Sequence, residues 1–197
     1  MNIRVGTDRD ARAAAHLHAA GIGEGFLSSL GPRFLSGLYR SIARDERSLL
    51  YVGIDDHDRV VGMIAGTEDV HGLYHRFARR EGIIAALTSA PRLLRRGRSV
   101  METWRYGATN GTDLPAAELL SVAVAEGARR SGLGQQLFDV LLREFERRDV
   151  APVKVVVGGR NDNMLRLCRR SGFADATTIN VHGNAVSKVL VWSPPPR

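Results

Sequence analysis

Residues 129–134 read Arg-Arg-Ser-Gly-Leu-Gly, an Arg-x-x-Gly-x-Gly pattern that follows a strand-like run and opens an amphipathic segment. Backbone N–H groups at a helix start are unpaired and carry the positive end of the helix dipole. Glycines there let the main chain approach an anion without obstruction by a Cβ atom. Arg129, Arg130, Ser131, Gly132, Leu133 and Gly134 are therefore candidates for holding a pyrophosphate by main chain and guanidinium together. The bland alternative is a solvated glycine turn that caps an ordinary helix. The spacing is neither that of a Gly-x-Gly-x-x-Gly dinucleotide fingerprint nor that of a Walker loop, so nucleotide hydrolysis is not indicated. His71 and His75 stand at a spacing that metal ligands use on a helix, but no nearby carboxylate or cysteine completes a site, and no metal is expected. The single cysteine, Cys168, excludes an intramolecular disulfide and an all-cysteine metal centre.

The pattern of apolar residues supplies the elements that would position this turn. Ile3–Val5 reads as a short strand, and Asp8 or Asp10 can cap a helix over Ala11–Ala20. Gly31-Pro32 opens a second helix with Phe34, Leu35, Leu38 and Ile42 on one face. Leu49–Ile54 and Val60–Gly66 flank Asp55-Asp56-His57-Asp58 as a hairpin. From 68 to 115 the chain reads as a helical insert, with pieces at Leu73–Ala85 and Arg92–Trp104 around Pro91. Glu118–Val124 is the strand before the glycine turn. Leu133–Arg148 follows as a helix with Leu133, Leu137, Val140, Leu141 and Phe145 inward. Val153–Val157 is a near-continuous apolar run, as in a strand covered on both faces. Asp162–Arg170 is a short helix, Thr177–Val181 and Ala185–Trp192 form a last hairpin, and the tail 193–197 is expected to be disordered. No repeat or linker interrupts this order, which specifies a single α/β (α+β) domain over 1–197.

Composition narrows the class. With 197 residues, 44% of them hydrophobic, the chain can bury a substantial core and is too apolar for intrinsic disorder. No apolar run approaches the roughly 18–20 residues of a membrane span. The start lacks the basic-then-apolar pattern of a signal peptide, so a cytoplasmic protein with no membrane partner is the expectation. The formal charge is +7, and every basic residue is arginine except Lys154 and Lys188. Residues 1–68 carry −1, residues 69–117 carry +4 and residues 118–197 carry +4. Arg92, Arg95, Arg96 and Arg98 form one cluster, best read as a solvated helix face, and nucleic acid is not the expected partner.

Ser121-Val122-Ala123-Val124, a short loop and then Arg129-x-x-Gly132-x-Gly134 resemble the acetyl-CoA-binding core of GNAT acyltransferases. Asn161 followed by Ser171-Gly172-Phe173 is similar to that family's Asn…Tyr-x-x-x-Gly-Phe segment, and the strand order agrees outside 68–115. The resemblance implies a central mixed β-sheet flanked by helices, with the helical insert before the motif strand. It also implies acetyl-CoA as co-substrate. Main-chain groups on Val122, Ala123 and Val124 would hold the pantetheine arm by strand addition. The Arg129–Gly134 turn would take the pyrophosphate, and Asn161 would steady the arm.

Transfer of an acyl group to an amine requires that the ammonium form, with a pKa of about 10, lose a proton to a base. Glu118 is the candidate base: it begins the motif strand, 14 residues before Gly132, an offset similar to that of the base in the superfamily's histone acetyltransferases. Beside Leu119 and Leu120, desolvation could raise its pKa toward neutrality. Cys168 occupies the position of the family's tyrosine acid. It is either a thiol that protonates the leaving group or a small buried packing residue. Phe26, Leu27 and Tyr74 fall where acceptor-binding segments are expected. The function this describes is transfer of an acetyl group from acetyl-CoA to a primary amine of a small molecule, an amino sugar or amino acid derivative, by direct attack. A protein amine as acceptor, or a non-catalytic acyl-CoA-binding domain, are the alternatives, and a homodimer is compatible with either.

Overall fold

The computed structural model describes residues 1–22, 31–79, 114–181 and 185–194. Seven strands form one sheet: β1 (Asn2–Val5), β2 (Ser48–Ile54), β3 (Val60–Thr67), β4 (Ala117–Val124), β5 (Val153–Gly158), β6 (Ala174–Val181) and β7 (Ala185–Trp192). Their spatial order is β1-β2-β3-β4-β5-β7-β6, antiparallel except for the β4–β5 pair. Helices α1 (Ala11–Gly21) and α2 (Pro32–Arg44), with α3 over 70–79, cover one face. Helices α4 (Leu133–Arg147) and α5 (Asp162–Arg170) cover the other. The β4–α4–β5 unit is the crossover that a parallel pair requires.

Local chemistry accounts for most boundaries. Asp55 closes the β2–β3 hairpin by accepting from the N–H groups of His57 and Arg59 at 2.9 and 3.0 Å. The first helix is preceded by a 3₁₀ turn at Asp8–Asp10, where Asp10 accepts from the Thr7 N–H and pairs with Arg4. Helix α5 ends through Gly172 at φ +90°, with the Phe173 N–H donating to the Cys168 carbonyl. Phe173 is then buried edge-on against Phe138.

Two sequence expectations change here. Val140 is only half-buried, and Phe138 takes the inward position on α4 instead. Val156 is exposed rather than covered: Val155 and Val157 face the core under α4 and α5, and Val156, on the opposite face, lines the cleft. The insert contains a helix over 70–79, anchored by Arg76 to Asp45 at 2.9 Å; Phe26, Leu27, the piece at Arg92–Trp104, the turn at 182–184 and residues 195–197 lie outside the described residues.

One contact fixes α4 on the sheet. Gly53 and Gly62 are paired across the β2–β3 ladder. A Cβ atom on them would fall 2.8 and 2.7 Å from the side chain of Leu133, the first residue of α4. The two glycines thus form a slot into which Leu133 is pressed, and this sets how close the start of α4 lies to the sheet. Gly62→Ala should destabilise the fold by about 1–3 kcal/mol through overpacking, measured by urea denaturation. Gly127→Ala, where a Cβ meets nothing within 4 Å, should not; equal effects from both would remove the slot argument.

Candidate active site

The parallel ladder between β4 and β5 consists of the pairs Ala117↔Val153, Glu118↔Lys154 and Leu119↔Val155, and then stops. Both strands continue, to Val124 and Gly158. The gap between them is a cleft of about 740 Å³ lined by Leu119–Val124 on one side and Val155–Gly158 on the other. Asn161, Met164 and Leu167 flank it from α5, and Gly21 and Ile22 from the end of α1.

Within β4 the register against β3 shifts between Ala65↔Ser121 and Gly66↔Leu119, which makes Leu120 an extra, bulged residue. The bulge re-aims the strand. Ala117, Leu119, Val122 and Val124 pack toward α4, whereas Leu120 and Ala123 pack toward α1 and α2. Without the extra residue, Ser121 would point to the α4 side. Beyond the bulge, the Ala125 N–H donates to the Val61 carbonyl at 2.8 Å. Backbone groups alternate sides along a strand. Those of Ala123 therefore turn to β3, and those of Val122 and Val124 turn toward the cleft.

The glycine turn sits at the cleft mouth. Arg130 and Gly132 have positive φ, +65° and +85°. The Ser131 hydroxyl donates to the Ala128 carbonyl at 2.7 Å and accepts from the Leu133 N–H, which tightens the turn. The first bond back into the turn from α4 runs from the Gln136 N–H to the Gly132 carbonyl, so the N–H groups of Gly134 and Gln135 fall outside the helical ladder. Gly134, Arg129 and Arg130 line the cleft, and Arg129 Nε donates to the Val124 carbonyl at 3.4 Å. Leu133 is turned away into the core. A slender ligand with an extendable backbone-like arm and an anionic head fits these donors: strand edge for the arm, helix start and two arginines for the phosphates.

Asn161 caps α5, its side-chain oxygen accepting from the Met164 N–H at 3.1 Å. Asn163, Met164 and Leu167 share the helix face turned to the cleft, while Leu165 and Cys168 share the face turned to the core. Cys168 is fully buried, and burial pushes its thiol up to about 12. Cys168 thus lies among the buried residues of the core and outside the cleft lining.

Glu118 lies below the point where the strands part, its side chain only 18% exposed. Burial raises its pKa above the usual carboxylate range, opposed by Lys154, whose Nζ is 3.4 Å away, and by His71. Tyr74, on α3, is close enough to Glu118 for the carboxylate to add to the effect of burial in raising the phenol pKa. A second polar group was not legible as a unit in the sequence: His18 Nδ1 lies 2.6 Å from the Tyr39 hydroxyl, which lies 2.7 Å from Ser121 Oγ. All three are nearly fully buried. They come from α1, α2 and β4, and no spacing links them. Lys154 carried a signal that could have been read: a lysine inside an otherwise apolar strand.

Among the described residues, no group of three His, Cys, Asp or Glu side chains lies together. No helix there is long and apolar enough to cross a membrane.

The chain thus has a mixed sheet that parts between two parallel strands, with a glycine turn and a helix start at the gap. The sequence model of the acetyltransferase (GNAT) family matches residues 22–173, and the chain belongs to that family of N-acetyltransferases. Among solved structures, the ribosomal-protein-alanine N-acetyltransferase from Brucella melitensis superposes with a TM-score of 0.64 at 16% identity, covering 97% of this chain and 98% of that one. Arabidopsis thaliana NAA60 in complex with acetyl-CoA gives 0.62 at 11% identity, with 97% of each chain covered. A spermidine N-acetyltransferase variant from Vibrio cholerae gives 0.57 at 13% identity, covering 98% and 94%. A search of curated proteins found no significant match.

The buried His18 has a consequence for stability. Burial pushes its pKa down to about 4, whereas in the unfolded chain it titrates near 6.5. Between these values the unfolded state binds a proton that the folded state does not, so stability falls as pH drops through that window. Denaturant unfolding should show a loss of roughly 2 kcal/mol from about pH 7 to about pH 5. His18→Gln should flatten that slope, and a slope unchanged in the variant would remove His18 as its source.

Proposed function

We propose that this N-acetyltransferase transfers the acetyl group of acetyl-CoA to the primary amine of a small molecule, with Glu118 as general base. The observation that carries the reading is the order of three features along β4: the helix start whose Gly134 lines the cleft mouth, the unpaired half of β4 along the cleft wall, and Glu118 next to the lining residue Leu119 where the strands meet. Arg129, Arg130 and the main chain of Ser131–Gly134 receive the pyrophosphate. The cleft-facing main chain of Val122 and Val124 holds the pantetheine arm, and Asn161 supports it from the β5 side.

Glu118 takes the proton from the substrate ammonium, directly or through a water, and the freed amine attacks the thioester carbonyl. The Val122 N–H is the donor for the oxygen that gains charge in the transition state. Burial raises the proton affinity of Glu118, which suits a base working near neutrality. Its recessed position favours a slender, unhindered primary amine. The name of the Vibrio cholerae structure shows that this fold can serve a polyamine, and that of the Brucella structure that it can serve a ribosomal protein. Cys168, in the core and with a raised pKa, acts in packing, and the leaving thiolate takes its proton from solvent.

Thiol release with acetyl-CoA across a panel of polyamines, amino sugars, amino acid derivatives and peptides tests the acceptor class. Turnover confined to peptides would overturn the small-molecule reading, and CoA binding with no release on any amine would overturn catalysis. Glu118→Gln should lower kcat by about 10²–10⁴-fold with CoA affinity unchanged by calorimetry. Cys168→Ala should keep most of the activity while losing some stability; a collapse of kcat in a folded variant would return the thiol to the mechanism.

A further inference from the structure

Lys154 lies between Val153 and Val155 on β5 and is 8% exposed. It is the cross-ladder partner of Glu118, and in a parallel pair such partners project from the same face of the sheet. Its Nζ reaches Glu118 Oε2 at 3.4 Å and donates to the Pro115 carbonyl, just before β4 begins. A lysine is almost never this buried without a partner. Replacing a buried ion pair by apolar residues is often neutral or stabilising, so stability is a weak reason for one to be there. Among the described residues, the groups that act on Glu118 are Lys154 from β5 and His71 and Tyr74 from α3. Of these, Lys154 is the cation placed on the carboxylate itself.

We propose that Lys154 is a positioning residue for the reaction: anchored on the Pro115 carbonyl, its ammonium group holds the Glu118 carboxylate at the foot of the cleft and keeps it charged until the substrate delivers a proton. The inference rests on the reading of Glu118 as base. Two opposed influences set that carboxylate. Burial drives it toward its neutral form, in which it cannot accept a proton. The neighbouring ammonium favours the charged form. In the reaction the proton passes from the substrate nitrogen to Glu118. The Pro115 carbonyl prevents the lysine from swinging out to water, so the cation acts from one fixed place.

Two measurements on Lys154→Met and Lys154→Arg test this in the full-length chain. One is carbon NMR of the glutamate carboxylates against pH, with Glu118→Gln identifying the Glu118 signal. The other is the pH profile of kcat/KM. In Lys154→Met, the Glu118 titration and the acid limb should both move up by about one to three pH units. The rate at neutral pH should fall about tenfold or more, with KM for acetyl-CoA within about twofold of the parent. Lys154→Arg should restore most of both. In the Glu118→Gln background, Lys154→Met should cost nothing further. Lys154→Gln, which keeps a donor for Pro115 without the charge, carries the same test if the methionine variant does not fold. An unmoved Glu118 titration in a folded neutral variant overturns the role of Lys154, even if Glu118→Gln is inactive. A fully active Glu118→Gln overturns the base reading instead, whatever the NMR shows.

Discussion

The site depends on a ladder that stops. β4 and β5 share three residue pairs and then part, although each continues as a strand. An unpaired strand edge inside a protein is costly unless something else satisfies its polar groups. Here each half of the sheet is held from outside, β4 by β3 and β5 by β7, so the gap between them persists without either strand fraying. The glycine turn then lies against the end of β4, with α4 pinned by Leu133 in the Gly53–Gly62 slot. On the proposed function, a ligand that adds strand-like hydrogen bonds and ends in phosphates would complete what the sheet leaves open. Membership of the GNAT family gives this gap its chemical meaning.

The two core faces divide the labour. Toward α4 and α5 the packing is apolar and includes Cys168 and the anchoring Phe173. Toward α1, α2 and α3 it includes buried polar groups, among them the His18–Tyr39–Ser121 chain and the Glu118–Lys154 pair. Buried polar groups of this kind are tolerated where partners satisfy them. The bulge at Leu120 brings Ser121 to this side, so that the hydroxyl chain and the carboxylate share one face of β4.

The excess of positive charge also divides. Several arginines are engaged in ion pairs, as Arg148 is with Glu144 and Glu68, and Arg169 with Asp175. Arg129 and Arg130 instead line the cleft. Among the described residues the positive charge is thus spread over unlike environments.

Periodicity and turn chemistry are local, and the sequence by itself determined what they control. The order of strands and helices, the Asp55 hairpin, the Pro32 helix start and the Arg129–Gly134 turn could all be read from neighbouring residues. The motif strand was legible for the same reason, and the candidate base at its head through the family resemblance of its offset from Gly132. The tertiary structure alone decided what depends on where two strands separate. Val156 is apolar, yet it is exposed because its face of β5 opens on the cleft rather than on α4 and α5. The bulge that redirects Ser121 leaves no mark in Leu119-Leu120-Ser121, since an extra residue exists only relative to a partner strand. Cys168 and Leu167 are adjacent, yet one faces the core and the other the cleft, and helix rotation against the sheet sets which. Lys154 and Glu118 are far apart along the chain and become a pair only through register. Local sequence encodes conformation, while exposure and proton affinity are properties of the assembled surroundings.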